Sequence, residues 1–149
     1  LRQNSDQQRY IASLTKMMTA LLFLESGKDM NAEITIPTSL TQEFKDIQNA
    51  NGTTMGLRIG ETVRRIDLLN ALLITSANDA ASVIAWDVGG SLNAFIQQMN
   101  ARAAELGCTS ATFTFCQVGQ GRFYHPGRPL CGGPCSKGRP HLRPCDPGQ

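Results

Sequence analysis

Apolar positions recur along the first three-quarters of the chain, and their spacing changes from one stretch to the next. In residues 13–26, Leu14, Met17, Met18, Leu21, Leu22 and Leu24 spread around most of a helical circumference. That pattern predicts a helix buried on several sides, stopped by Gly27. "AEITIP" then alternates Ile34 and Ile36 with polar residues, the period of a short strand. Residues 38–60 are polar and turn-rich, with Asn51-Gly52 as a turn signal. Helical spacing returns over 62–75 with Val63, Ile66, Leu69, Leu72 and Leu73. A third helix is expected from about Asp79 to Asp87, halted at Gly89-Gly90. A fourth is expected after an N-capping Ser91, through Leu92, Phe95, Ile96, Met99 and Ala103, ending at Gly107. "TSATFT" (109–114) turns to strand-forming residue types.

From Phe115 onward the periodicity is gone, and composition shows why. Residues 1–114 hold one proline, seven glycines, one cysteine, nine Lys/Arg and eleven Asp/Glu. Residues 115–149 hold six prolines, seven glycines, four cysteines, five Lys/Arg and one acid. The two parts carry −2 and +4, which add to the overall +2, so the basicity belongs to the tail. Such a Pro/Gly-rich segment cannot carry a helix or a central strand. The chain divides into a folded part, 1–114, and a tail, 115–149, expected to be disordered or the product of a shifted reading frame.

At 149 residues, 41% apolar and 17% charged, the chain can bury one core. A net charge of +2 gives no reason to expect nucleic acid or an anionic membrane as partner. No apolar run reaches the roughly 18 residues of a membrane span. Leu1-Arg2-Gln3 opens on polar sequence without an initial methionine, which suggests a fragment or mature product without a leader.

Two constellations carry candidate chemistry. Ser13 and Lys16 stand three apart at the mouth of the first helix, a spacing that puts two side chains on one face. A serine hydroxyl needs a base beside it to act as a nucleophile, and a lysine serves as that base once burial lowers its pKa. Free N–H groups of the first turn are expected to stabilise an oxyanion. The plain alternative is an N-capping Ser13 and a solvated Lys16. Further on, Ser76-Ala77-Asn78 falls between two apolar helices, where residues two apart can face one cleft. Alternatively, Ser76 ends one helix while Asn78 or Asp79 caps the next.

S-x-x-K followed about sixty residues later by S-x-N resembles the penicillin-recognising serine acyl-transferases. "RYIASLTKMMTALLFLE", "NGTTMGLRIGETVRRIDLLNALLITSANDAASVIA" and "FIQQMNARAAELGCTSATFT" are similar to the low-molecular-mass penicillin-binding proteins, the D-alanyl-D-alanine carboxypeptidases. The resemblance spans residues 1–114. It implies an α+β, transpeptidase/β-lactamase-like fold, here incomplete: a helical region around the S-x-x-K helix, with most of the antiparallel sheet missing. It implies Ser13 as acyl-ester nucleophile, Lys16 as proton acceptor, Ser76 as proton relay and Asn78 as substrate-binding residue. The implied ligands are peptidoglycan stem peptides ending in D-Ala-D-Ala, with β-lactams as inhibitors. The implied location is the bacterial periplasm or cell envelope, and no cofactor is implied.

The K-T-G motif of that family is absent; Ser136-Lys137-Gly138 falls too early and in the wrong kind of sequence. A serine β-lactamase is a rival reading, against which S-A-N stands in place of S-D-N. An inactive remnant that at most binds peptidoglycan is another. Cys116, Cys131, Cys135, Cys145, His125 and His141 offer zinc-like spacing but no apolar core around it, so no metal is expected. Cys108 is expected to be a buried small hydrophobe, Trp86, Phe95 and Met17-Met18 core, and Arg64-Arg65 a solvated helix face.

Overall fold

The computed structural model describes residues 12–108 and 111–114; the tail from 115, with its cysteines and histidines, lies outside them, as do Thr109 and Ser110. The elements in chain order are α1 (Thr15–Glu25), β1 (Glu33–Thr35), a 3₁₀ turn (Thr38–Leu40), α2 (Thr41–Asn49), β2 (Thr62–Arg64), α3 (Arg65–Asn70), a π-helical turn (Ala71–Thr75), α4 (Asn78–Gly89) and α5 (Leu92–Glu105). The architecture is α+β and mostly helical.

α4 is the hub. Asn78 through Ala85 are all buried, and the helix packs on α1, α2, α3 and α5. Small residues make this contact close: Ala80, Ala81 and Ala85 show no exposed surface. At its end, Gly89 lies against the start of α5, where an added Cβ would stand 2.7 Å from the Phe95 nitrogen. Gly90 then turns the chain at φ +71°, a conformation glycine adopts without a steric penalty. Ser91 caps α5, its hydroxyl oxygen accepting from the Ala94 N–H at 3.2 Å. Phe95, Met99 and Ala103 form the buried stripe of α5, as the spacing predicts.

Three segments differ from the sequence reading. The polar stretch 38–60 contains α2, whose buried Phe44 and Ile47 continue the spacing set by Leu40. The predicted helix over 62–75 begins instead as a strand. β2 pairs antiparallel with β1 in the register Glu33↔Arg64, Ile34↔Val63 and Thr35↔Thr62. The helix after it loosens into the π-helical turn before Ser76. Residues 111–114 form no strand; Phe113 is buried, and Asn100 brackets it through its N–H at 2.6 Å and its carbonyl at 2.9 Å.

α1 reverses its expected burial. Thr15, Lys16, Thr19, Ala20 and Phe23 face the core, while Leu14, Met17 and Leu24 are exposed. α1 packs on α4 through these Thr and Ala positions and Phe23, which leaves Leu14, Met17 and Leu24 on the outer side. Met18 is half-buried against the core, as are Trp86 and Leu22. Two further expectations fail. Cys108 is exposed, because α5 has ended and the chain has turned outward. Of the arginine pair, Arg64 is solvated on β2 beside Asp67, but Arg65 is fixed bidentately to Asp87 at 2.8 and 3.1 Å. Burial would raise the Asp87 pKa, yet hydrogen bonds and charge from Arg65, with Lys28 at 3.3 Å, hold it below the usual carboxylate value.

Candidate active site

Ser13 stands ahead of α1 in a tight turn rather than within the helix. The N–H groups of Thr15, Lys16 and Met17 donate to the carbonyls of Ala12, Ser13 and Leu14 at 3.1, 3.0 and 3.0 Å. Those three donors are therefore already used and are not free to serve an oxyanion. Lys16 is one turn further, on the buried face of α1, and 4% exposed.

Ser76 reaches this pair from the opposite side. The π-helical turn inserts extra backbone after α3, with the Thr75 hydroxyl donating to the Ala71 carbonyl at 2.8 Å. Ser76 ends the turn at φ 59°, a left-handed conformation that costs a non-glycine residue roughly 1–2 kcal/mol. The result is a three-member chain. The Ser76 hydroxyl donates to Ser13 Oγ at 3.0 Å, and Lys16 Nζ donates to Ser76 Oγ at 2.8 Å. Lys16 Nζ also donates to the Ser76 carbonyl oxygen.

Burial disfavours the Lys16 ammonium and lowers its pKa from 10.5 to about 8, although the negative charge of Asp79 acts in the opposite sense. An amine so shifted is partly neutral just above neutral pH, which a surface lysine is not. The three residues line a cleft of about 420 Å³, with Ala12, Leu14, Met17, Leu72 and Leu73 as its apolar walls. Met17, expected in the core, is thus a cleft residue. Among the described residues no group of three or more side chains is arranged to hold a metal.

Asn78 is set differently. It begins α4, is 4% exposed, and is not one of the residues lining the cleft around Ser13. Its N–H donates to the Thr53 carbonyl at 2.8 Å. Its Oδ1 has no hydrogen-bond partner among the described residues. Ser76 does end a helix, and Asn78 does start the next, as the structural reading of that tripeptide expects.

The profile of the D-alanyl-D-alanine carboxypeptidase family matches residues 1–117. The chain belongs to that family. A D-alanyl-D-alanine endopeptidase of Pseudomonas aeruginosa is 34% identical over 111 residues, covering 74% of this chain and 34% of the relative. The Haemophilus influenzae D-alanyl-D-alanine endopeptidase is 38% identical over 109 residues, 73% of this chain and 35% of that protein. Among solved structures, penicillin-binding protein 6B of Escherichia coli superposes with a TM-score of 0.68 at 27% identity, over 81% of this chain and 38% of the other. The fold of this carboxypeptidase-family chain is therefore that of the penicillin-binding proteins, represented in part. It spans about a third of the length of the curated relatives it matches.

Proposed function

We propose that the chain carries the acylation site of a serine-type D-Ala-D-Ala peptidase that acts on peptidoglycan stem peptides and is acylated by penicillins. The observation that carries this reading is the chain Ser13–Ser76–Lys16, at 3.0 and 2.8 Å, ending on an amine with a pKa of about 8.

With Lys16 neutral, the hydroxyl hydrogens reverse: Ser13 donates to Ser76, and Ser76 donates to the Lys16 lone pair. The Ser76 carbonyl holds one amine hydrogen and so fixes the rotation of the amine. As Ser13 Oγ bonds to the substrate carbonyl carbon, each proton moves one place along, and Lys16 becomes the ammonium. Collapse of the tetrahedral adduct breaks the C–N bond. The proton returns through Ser76 to the leaving amine, leaving an ester on Ser13. Water then attacks that ester with the same base and releases the acid. Asn78 belongs to the same proposal as the residue that meets the substrate's amide: its Oδ1 is an acceptor unpartnered among the described residues, although it stands behind the lining of the cleft around Ser13.

The location implied for such an enzyme is the bacterial cell envelope. No helix among the described residues is long and apolar enough to cross a membrane. The division at residue 114 belongs to the same proposal, and the family match ending at 117 supports it. Cleavage of an internal rather than a terminal bond is a second reading, favoured by the endopeptidase names of the two relatives above.

Labelling with a fluorescent penicillin tests the site. The wild-type chain should form a covalent adduct, and Ser13→Ala should form none. An unlabelled wild-type chain would sink the acylation reading and leave peptidoglycan binding without turnover. Stem peptides with free and with blocked C-terminal carboxylates then separate terminal from internal cleavage.

A further inference from the structure

The residue after Asn78 carries a buried carboxylate that the proposed reaction does not use. Asp79 is 2% exposed. Its Oδ1 accepts from the Met55 N–H at 3.1 Å, and its Oδ2 accepts from Gly56 and Leu57, each at 3.0 Å. Three successive amides of one loop thus converge on a single internal anion. Gly56, at φ +84°, supplies the backbone conformation that this convergence requires. An acid in the first turn of a helix is ordinarily explained by the helix dipole, and the Ala80 N–H at 2.9 Å fits that explanation. The amides lying 22–24 positions earlier in the chain do not.

The same loop touches Asn78 from two sides. The Asn78 N–H donates to the Thr53 carbonyl, and a Cβ at Gly52 would stand 2.7 Å from Asn78 Nδ2. Ser76 through Asp79 is therefore a four-residue span held at both ends. Lys16 grips Ser76 at one end, and the amides of residues 55–57 grip Asp79 at the other. Between them Ala77 is fully buried and its N–H is bound to the Ala71 carbonyl at 3.1 Å.

We propose that Asp79 is a positioning residue for the reaction at Ser13: its carboxylate gathers residues 53–57 onto the first turn of α4 and so fixes Ser76 and Asn78 relative to Lys16. This rests on the acylation reading above. Asp79 is also the charge that acts on Lys16 from α4. Ser76 faces the amine with neutral oxygens. On α5, Arg102 pairs with Glu105 and with Glu25 at the far end of α1.

The test is Asp79→Asn in the full chain, measured by penicillin acylation at limiting and saturating concentrations across the pH range around the Lys16 titration. The acylation rate constant is expected to fall about 10- to 100-fold, with a smaller change in apparent affinity, because misplacement affects the reacting geometry first. The pH at which the rate rises should move down, since loss of the negative charge lowers the Lys16 pKa further. That shift reports the charge of Asp79, whereas a fall in the rate constant larger than the change in affinity reports its positioning of Ser76. Amide exchange at Met55, Gly56 and Leu57 should accelerate in the variant. A folded Asp79→Asn protein with the wild-type rate and pH profile would overturn the proposal. If that variant does not fold, Asp79→Glu replaces it, keeping the charge but displacing the oxygens from the amides of Met55, Gly56 and Leu57. A reduced rate then supports the proposal, and an unchanged one overturns it. If the wild-type chain is not acylated at all, the acylation reading fails separately. The clamp is then judged by exchange: protection lost in Asp79→Asn supports it, and fast-exchanging Met55–Leu57 amides in the wild type overturn it.

Discussion

Lys16 and Ser76, sixty positions apart, meet through two hydrogen bonds from one amine, to the Ser76 hydroxyl at 2.8 Å and to its carbonyl. The double contact orients the nitrogen, and burial sets its proton affinity. Acylation should accordingly depend on the free-base form of Lys16. The second-order rate of penicillin labelling is expected to rise with pH through about 8 and then level. Ser76→Ala should lower the rate by roughly 10²-fold or more while leaving the fold intact. A flat pH profile would remove Lys16 from the role of base.

The same burial has a cost in stability. Because the folded pKa of Lys16, about 8, lies below the unfolded 10.5, the unfolded chain binds more protons between those values. Stability from this group therefore rises as pH increases through that window, and the penalty is fully present below it. Lys16→Met should lose acylation yet stabilise the fold at neutral pH by roughly 1–3 kcal/mol, a gain that shrinks towards alkaline pH. Denaturant melts of both proteins at neutral and alkaline pH measure this directly.

Glu43 gives a second titration of opposite sense. On α2 it is 8% exposed, and burial raises its pKa although the Ser82 hydroxyl, at 3.4 Å, opposes the rise. An acid whose folded pKa is raised stabilises the protein below its unfolded pKa of about 4.5, and the contribution is lost as pH climbs through the raised value. Glu43→Gln, neutral at every pH, should be more stable than wild type near neutrality and lose that advantage in acid. Thermal melts across that range should show the two curves converging as pH falls.

Gly89 predicts a backbone-driven loss. A methyl group at 89 would stand 2.7–2.9 Å from Phe95 nitrogen, Cβ and Cα, atoms that cannot move without displacing α5. Gly89→Ala should cost roughly 1–3 kcal/mol despite its better helix propensity. A denaturation midpoint equal to wild type would show that α4 and α5 can slide apart.

How legible each element is in the sequence depends on what holds it in place. α4 and α5 are readable because Ala, Val, Phe and Met recur at helical spacing and glycines come after them. α2 is hidden because its surface residues outnumber Phe44 and Ile47; Leu40-x₃-Phe44-x₂-Ile47 is the available signal. β2 is absorbed into a helical pattern because Val63 satisfies both periods, and its partner Ile34 lies 29 residues away. At the site, spacing and resemblance mark Ser13, Lys16 and Ser76, and the three meet in the fold. Asp79 is legible only as a candidate helix cap, because three loop amides bound to one carboxylate leave no periodic mark in a sequence.

The π-helical turn, finally, makes the site a matter of chain length as much as of residue identity. Each backbone unit added to or removed from a helical stretch rotates the downstream chain by roughly 100° about its axis. The side chain at Ile74, which is exposed and outside the cleft lining, can vary while the count from Ala71 to Ser76 cannot. A one-residue deletion there would tighten the helix, carry Ser76 around to another side, and leave Lys16 with no oxygen to hold.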